Sequence, residues 1–233
     1  TEHRCYWSRA QWTVGHTVNS MDGMTSSTAQ RRSRKRPEER REEILAAAAS
    51  IAIDEGLERI TLRAVAERLG VRPGLITHYF PAAEDLVVEG FARAAIIERE
   101  RFFPAEGDAL RRLAHLIGYI ESGASLPLAR LWLNARHLSR FSPALNRTLD
   151  EQDLLDRARL TQLIIDGIAD GEFAETDAEA ASVRIWIAID GRGSSVNSAI
   201  EEEHPASATF ASDVAEWALA LTPGTLRRAI DDA

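Results

Sequence analysis

Two short helical segments joined by a glycine turn, within residues 61–80, constrain the fold of this chain more than any other feature. The first segment has one apolar face, formed by Leu62, Val65, Ala66 and Leu69. Gly70 then permits a left-handed turn, and a second short helix begins at Pro73. This spacing predicts a helix-turn-helix, with the small side chain of Ala66 at the point where the two helices cross.

The remainder of the chain from Pro37 onward also has helical patterns. We predict a helix from Ala83 to Phe103, helix starts at Ser142-Pro143 and at a capping box over residues 176–179, and a helix over residues 178–200. A further apolar stripe runs from Phe210 to Leu221 at helical spacing. No alternating strand pattern with turn signals occurs, so the predicted fold class is all-α.

Charge is divided unevenly along the sequence. The first 105 residues hold 16 Lys and Arg against 15 Asp and Glu, the remainder hold 12 against 21, and the net charge is −8. The basic residues include a run without acids, formed by Arg31, Arg32, Arg34, Lys35 and Arg36. A basic arm ahead of an acidic body favours an N-terminal surface that meets a polyanion, and the alternative is a solvated, disordered tail.

The same sequence disfavours several functional classes. Cys5 is the one cysteine, which excludes an internal disulfide and suits a reducing cytoplasm. No apolar run is long enough for a membrane span, so no membrane partner is expected. No helical histidine pair, nucleotide-binding glycine loop or Gly-x-Ser-x-Gly motif occurs, so we expect no metal, no cofactor and no catalytic residue.

Met21 or Met24 is a candidate translation start.

The motifs between residues 40 and 91 occur in a specific order and spacing: Asp54-Glu55-Gly56, Thr61-Leu62-Arg63, Val65-Ala66, Leu69-Gly70-Val71, Gly74, His78-Tyr79-Phe80-Pro81 and Glu84-Asp85-Leu86. In these motifs the chain resembles the TetR family of bacterial transcriptional regulators. A weaker similarity continues through Trp132, residues 168–173 and residues 189–191. The resemblance implies an N-terminal three-helix DNA-binding domain with a helix-turn-helix and a C-terminal helical ligand-binding and dimerisation domain. We accordingly assign a disordered tail with the basic arm to residues 1–36, the DNA-binding domain to 37–82 and the C-terminal domain to 83–233.

The resemblance also implies which residues contact DNA. Thr61 and Arg63 match positions that touch phosphate, and His78 and Tyr79 match positions that bind the DNA backbone. Thr77 is placed to reach base edges. Two alternatives remain open, namely that Thr61 only caps its helix and that Tyr79 only packs against the first helix. The predicted contact set is Arg36, Thr61, Arg63, Arg72, Pro73, Gly74, Leu75, Thr77, His78 and Tyr79.

Two positions depart from the family pattern. Arg72 stands where a small hydroxyl residue is common, so it cannot cap the third helix but can contact phosphate or guanine. Ala83 stands where lysine is common, which removes one backbone contact. We expect the basic arm to restore this charge by lying along a minor groove.

The family resemblance further implies a ligand pocket among the C-terminal helices. The candidate lining residues are Tyr119, Trp132, Arg136, His137, Trp186 and Asp190, with Asn134 nearby. For each of them, an ordinary place in the core or on the surface is the alternative. Asp190 lies in an apolar segment, where a buried acid needs a partner: Arg136, His137, Arg192 or a cationic ligand. Arg136 is equally suited to an anionic ligand.

Two apolar stripes predict a dimer interface. The residues assigned to it are Ile185, Ile189, Phe210, Val214, Trp217 and Leu221. Two such helices from each of two protomers would form a symmetric four-helix interface, and the alternative is that both stripes serve only the internal core.

The sequence thus leads to a functional hypothesis. We expect a cytoplasmic homodimeric regulator, a repressor rather than an activator, which binds a palindromic double-stranded DNA operator and is released by a small-molecule effector. Its two recognition helices would enter successive major grooves about 34 Å apart. The alternatives are a helical interaction protein of the same fold that has lost specific DNA binding and, less favoured, an enzyme.

Overall fold

The computed structural model describes residues 36–198 and 204–232 of the chain. Within these ranges, the secondary structure consists of eleven α-helices and one 3-10 turn, with no strand, which confirms the predicted all-α class. The helices are α1 (Pro37–Asp54), α2 (Leu62–Leu69), α3 (Pro73–Tyr79), α4 (Ala83–Phe102), α5 (Ala109–Glu121), α6 (Leu126–Leu138), α7 (Pro143–Ala169), α8 (Ala178–Gly193), α9 (Pro205–Ala208), α10 (Phe210–Ala218) and α11 (Thr225–Asp231), and the 3-10 turn is Leu57–Arg59. The described residues do not include the predicted disordered tail, which holds Cys5, Met21, Met24 and residues 31–35 of the basic arm.

Side-chain caps define where several helices begin. The hydroxyl of Thr61 accepts a hydrogen bond from the Ala64 amide at 3.0 Å, and Ser142 caps α7 in the same way. Both caps confirm the predicted helix starts. Helix α8 begins one residue later than the predicted capping box requires, because Asp177, and not Thr176, accepts from the third amide of the helix.

Two helices in the C-terminal half are shorter than predicted. Helix α8 ends at Gly193, before the predicted end at residue 200, because Gly191, Gly193 and Ser194 are poor helix formers. Helix α10 ends at Ala218, and Ala220 adopts a left-handed conformation with φ +52°. The stripe that ends at Leu221 therefore covers a helix of 9 residues and the turn after it.

The helix-turn-helix forms as its sequence predicts. Ala66 of α2 and Ile76 of α3 are buried where the two helices pack. Gly70 ends α2 with φ +63°, a conformation that a residue with a Cβ adopts only with strain, and the Val71 amide donates to the Ala66 carbonyl at 3.0 Å. Because this buried side holds the motif together, the opposite side of α3 is left uncovered.

Helix α6 lies between the N-terminal helices and the rest of the described chain. It contacts α1, α4 and the 3-10 turn, and it also contacts α7 and α8. Helix α1 packs closely on α4 at Gly90, where an added Cβ would lie 3.1 Å from Ala48 Cβ and 3.1 Å from Ile60 Cδ1. The domain boundary at residue 82 stays a prediction. None of the helices in the described ranges combines the length and the apolar character needed to cross a bilayer.

Candidate nucleic-acid interface and internal cavity

The outer side of α3 carries polar side chains. Thr77 and His78 are exposed, and so are Arg72 and the helix start at Pro73 and Gly74. The Thr77 hydroxyl donates to the Pro73 carbonyl at 3.3 Å, a bond that keeps the hydroxyl close to the helix surface. The exposed part of α3 is therefore a short polar ridge with no other part of the described chain covering it.

The two half-buried side chains of α3 serve both the surface and the core. Leu75 and Tyr79 are partly exposed, and Tyr79 also packs against buried apolar residues. The His78 ring meets the Tyr79 ring edge-on, with 5.3 Å between centroids. Phe80, the next residue, is fully buried. Packing therefore fixes the direction of Tyr79 without removing it from the surface.

The start of α2 brings a hydroxyl and a guanidinium to the same surface. Thr61 caps the helix and remains exposed, and Arg63 is held by Glu67 at 2.7 Å. The hydrogen bond to Glu67 raises the pKa of Arg63, so the guanidinium stays charged. This helix start offers amide groups, a hydroxyl and a positive charge, a combination that suits phosphate oxygens.

Positive charge on the N-terminal helices is largely neutralised by neighbouring acids. Between residues 36 and 82 the sequence has seven arginines and eight acidic residues. Most of these arginines form ion pairs, including Arg36 with Glu39 at 2.6 Å. Among the described residues, Arg59 and Arg72 are the arginines of this region that have no ion-pair partner. Arg72 thus presents an unneutralised charge at the start of α3, although it does not cap that helix, as expected.

A cavity of about 260 Å³ lies between α4, α5, α6, α7 and α8. Four of the predicted pocket residues line it: Trp132, Arg136, Trp186 and Asp190. The other two, Tyr119 and His137, do not line the cavity. The Tyr119 hydroxyl donates to Glu98 at 3.3 Å, and burial raises its pKa. His137 is exposed and meets the ring of Phe141.

An ion pair forms part of the cavity wall between α6 and α8. One amino group of Arg136 lies 3.0 Å from each carboxylate oxygen of Asp190, and the guanidinium also lies over the Trp132 ring, 5.6 Å from its centroid. Arg136 is one of the partners predicted for Asp190, and the ion pair confirms it. The expectation of a buried acid was wrong, because Asp190 is exposed.

A second ion pair, between α4 and α7, was missed from the sequence. The Nε of Arg99 donates to Oδ1 of Asp156, and an amino group of Arg99 donates to the Gln152 side chain at 2.9 Å. The Asp156 side chain is 10% exposed and lines the cavity. Burial raises the pKa of Asp156 to about 6, against the opposing attraction of Arg99. Gln152 and Asp156 follow Leu149 at helical spacing on the buried face of α7, which is the signal that could have revealed them.

Residues 44–89 match the family model described as bacterial regulatory proteins, tetR family. The N-terminal helices therefore resemble those of the TetR family. No curated protein matches this sequence significantly.

Solved structures share this TetR-like fold. A proposed transcriptional regulator of Pseudomonas aeruginosa PAO1 superposes with a TM-score of 0.60 at 23% identity, over 84% of this chain and 96% of that one. A proposed regulator of Saccharomonospora viridis in complex with choline gives 0.59 at 21% identity, over 77% and 95%. The regulator FadR of Bacillus subtilis in complex with stearoyl-CoA gives 0.56 at 21% identity, over 77% and 97%. These likenesses show the fold, and all three proteins are described as regulators of transcription.

The predicted dimer residues divide into two groups. Ile185 and Ile189 are buried inside the protomer, so their assignment to an outer interface was wrong. Phe210 and Trp217 of α10 are exposed, with Val214 and Leu221 half-buried beside them. The exposed apolar residues of α8 are Val183 and Ile187. A shift of two residues turns a helical side chain to the opposite face, which explains the error.

Helix α6 connects the cavity to the N-terminal helices α1 and α4 and to the 3-10 turn. On its cavity side it carries Trp132, whose ring also meets Phe91 of α4 edge-on at 5.3 Å. On another side, the Asn134 amide donates to Glu58 of the 3-10 turn at 3.0 Å. Among the described residues, no group of three or more His, Cys, Asp and Glu side chains is placed to hold a metal ion.

Proposed function

We propose that this chain is a ligand-responsive transcriptional regulator that acts in the cytoplasm as a repressor. It binds a palindromic operator as a homodimer and leaves that operator when a small molecule binds. The observation that carries this proposal is the uncovered outer side of α3, where Thr77 and His78 are exposed beside the unpaired Arg72. An exposed polar side on a short helix, held rigidly by its buried opposite side, suits insertion into a major groove.

The proposed contacts follow from the position of each side chain. Thr61, Arg63 and Arg72 bind phosphate groups, whereas Leu75 and Thr77 face base edges and thymine methyl groups. Pro73 and Gly74 allow the start of α3 to approach the DNA backbone closely. Tyr79 and His78 contact the backbone at the far end of α3, and Arg36 contributes charge if it exchanges Glu39 for phosphate. The basic run that ends at Arg36 supplies the positive charge that α1 to α3 lack.

The homodimer is proposed to form through α8 and α10. These helices pack against each other, and Arg184 of α8 lies over the Trp217 ring, 5.3 Å from its centroid. Val183 and Ile187 of α8 and Phe210 and Trp217 of α10 are apolar side chains exposed to solvent in the protomer. A two-fold axis through these side chains buries them against their own copies, as closed symmetric dimers require, and sets the spacing of the two copies of α3.

The cavity is the proposed effector site, with Trp132, Arg136, Trp186 and Asp190 among its contacts. A ligand releases DNA only if it binds a non-binding arrangement of the dimer more tightly than the DNA-binding one. Helix α6 is the proposed route, because it lines the cavity through Trp132 and contacts the 3-10 turn through Asn134. Two proteins of similar fold were solved with choline and with stearoyl-CoA, which supports a ligand-responsive role for this fold.

A gel shift with the DNA that flanks the gene tests the regulator directly. Arg63→Ala and Thr77→Ala each have a matched control. Arg111→Ala removes an exposed arginine that is also paired with a nearby acid, the N-cap residue Asp108, and Thr222→Ala removes an exposed threonine of the C-terminal half. We expect Arg63→Ala to weaken binding and to reduce the salt slope by about one. Thr77→Ala should lower the specific affinity by about tenfold and leave nonspecific binding unchanged. Normal specific binding by both variants would refute the assigned surface.

One observation favours a second candidate, a helical interaction protein of the same fold that does not bind DNA specifically. Acidic residues outnumber arginines between residues 36 and 82, and Ala83 stands where the family commonly has lysine. This candidate predicts that no flanking sequence gives a specific, salt-sensitive shift, whereas the dimer still forms.

A further inference from the structure

Both guanidinium groups in the cavity wall are already bound to the protein. Arg192 donates to the main-chain carbonyls of Glu121 at 3.0 Å and Ser207 at 2.8 Å. Arg136 holds both oxygens of Asp190. Main-chain carbonyls therefore hold Arg192 in place, and the charge of Arg136 is matched by that of Asp190.

The carboxylate of Asp156 is different, because only one of its two oxygens accepts a hydrogen bond from the described residues. It accepts from Arg99 through Oδ1, and within the described residues its Oδ2 accepts no hydrogen bond. Arg99 gives its remaining hydrogen bonds to the main-chain and side-chain oxygens of Gln152. Asp153, one turn earlier on α7, also lines the cavity, and its carboxylate is paired with Arg157 at 2.9 Å. The α7 side of the cavity therefore presents a buried carboxylate with a free acceptor oxygen.

The rest of the wall is mainly apolar and aromatic. Phe102, Leu128 and Trp132 supply apolar surface, and Trp186 adds a second indole ring. The Nε1 of Trp186 is buried and has no hydrogen-bond partner among the described residues. A buried donor without an acceptor is costly, but this atom has almost no accessible surface and does not face the cavity. The wall thus offers a ligand mainly apolar and aromatic contacts.

We propose that the cavity binds an organic ammonium ion with an apolar body, whose N–H group donates to Oδ2 of Asp156, an assignment that rests on the proposed ligand-responsive function. The ammonium group completes the hydrogen bonding of Asp156 where no protein donor reaches it. The apolar body fills the space beside Trp132 and Trp186, where an aromatic face also attracts a cation. The Arg136–Asp190 pair stays intact and contributes no net charge to recognition.

Calorimetric titration of the full-length protein without DNA tests the proposal with three matched probes: phenylpropylammonium, phenylpropanol and phenylpropanoate. We expect the ammonium ion to bind about tenfold more tightly than the alcohol, because a hydrogen bond between two charged groups is stronger than a neutral one. Asp156→Asn should remove this preference and leave the affinity for the alcohol unchanged. Asp170→Asn, an exposed acid just after the same helix, is the control and should preserve the preference.

A second variant covers the case in which Asp156→Asn does not fold because Arg99 is left buried without its partner. Arg99→Met combined with Asp156→Asn removes both charges together, a change that buried ion pairs tolerate better than the loss of one partner. Equal affinity for the ammonium ion and the alcohol in the unmodified protein, tightest binding of phenylpropanoate, or no binding of any probe would overturn the proposal. Because these titrations contain no DNA, the gel shift separately decides whether the chain is a regulator.

Discussion

The buried carboxyl of Asp156 makes the stability of this protein depend on pH in a direction opposite to that of most carboxylates. Its pKa is raised from the ordinary 3.8 to about 6 by burial, and Arg99 only partly opposes this effect. Protonation is therefore easier in the folded state than in the unfolded chain. The contribution of this group to stability is fully present below about pH 4 and is lost as the pH rises through about 6. The difference in pKa corresponds to about 3 kcal/mol.

Urea unfolding of the unmodified protein and of Asp156→Asn, followed by circular dichroism at one fixed protein concentration, measures this effect. Asparagine has no charge at any pH, so the variant removes the titration while the exposed carboxylates cancel in the comparison. We expect the free energy of unfolding of Asp156→Asn to rise relative to the unmodified protein by about 3 kcal/mol between about pH 4 and about pH 8. A constant difference would show that attraction by Arg99 balances burial, and one that falls with pH would show that it outweighs burial; either result would refute the reasoning.

Two further predictions concern packing and assembly. Gly167→Ala places a Cβ 2.4 Å from ring carbons of Phe173, so it should lower the free energy of unfolding by about 1–3 kcal/mol, whereas Gly191→Ala, with open space around it, should not destabilise. Unchanged stability of Gly167→Ala would contradict this close contact. Ile187→Asp should give a folded monomer in analytical ultracentrifugation, whereas Leu154→Asp, at the same 66% exposure on α7, should leave the dimer intact. A dimer that survives Ile187→Asp would exclude the proposed interface.

The features that could be predicted from the sequence are those encoded by neighbouring residues. The cap at Thr61, the left-handed glycine at residue 70 and the proline at the start of α3 each act within one helical turn. Together they define the helix-turn-helix, and its order of motifs carried the family resemblance. The pocket among the C-terminal helices was only implied by the family resemblance, and of the residues named for it Trp132 and Trp186 do line the cavity.

The features that were missed depend on how distant helices rotate against each other. The Arg99–Asp156 pair joins α4 to α7, and no local pattern connects two residues so far apart in sequence. The apolar residues of α8 surround the helix on every side, so the sequence did not show that Ile185 faces inward and Ile187 outward. Only the packing of α8 against α7 and α10 decides this rotation.

If the cavity is the effector site proposed above, the position of α6 as a shared wall makes ligand binding and release of DNA two separate events. Trp132 touches both the cavity and α4, while Asn134 anchors the same helix to the 3-10 turn. A compound that fits beside Trp132 without displacing it gains affinity but leaves the anchored helix where it was. Such a compound would bind in the cavity without releasing DNA, and it would compete with effectors that do release it. A screen for effectors therefore has to measure loss of DNA binding as well as ligand binding.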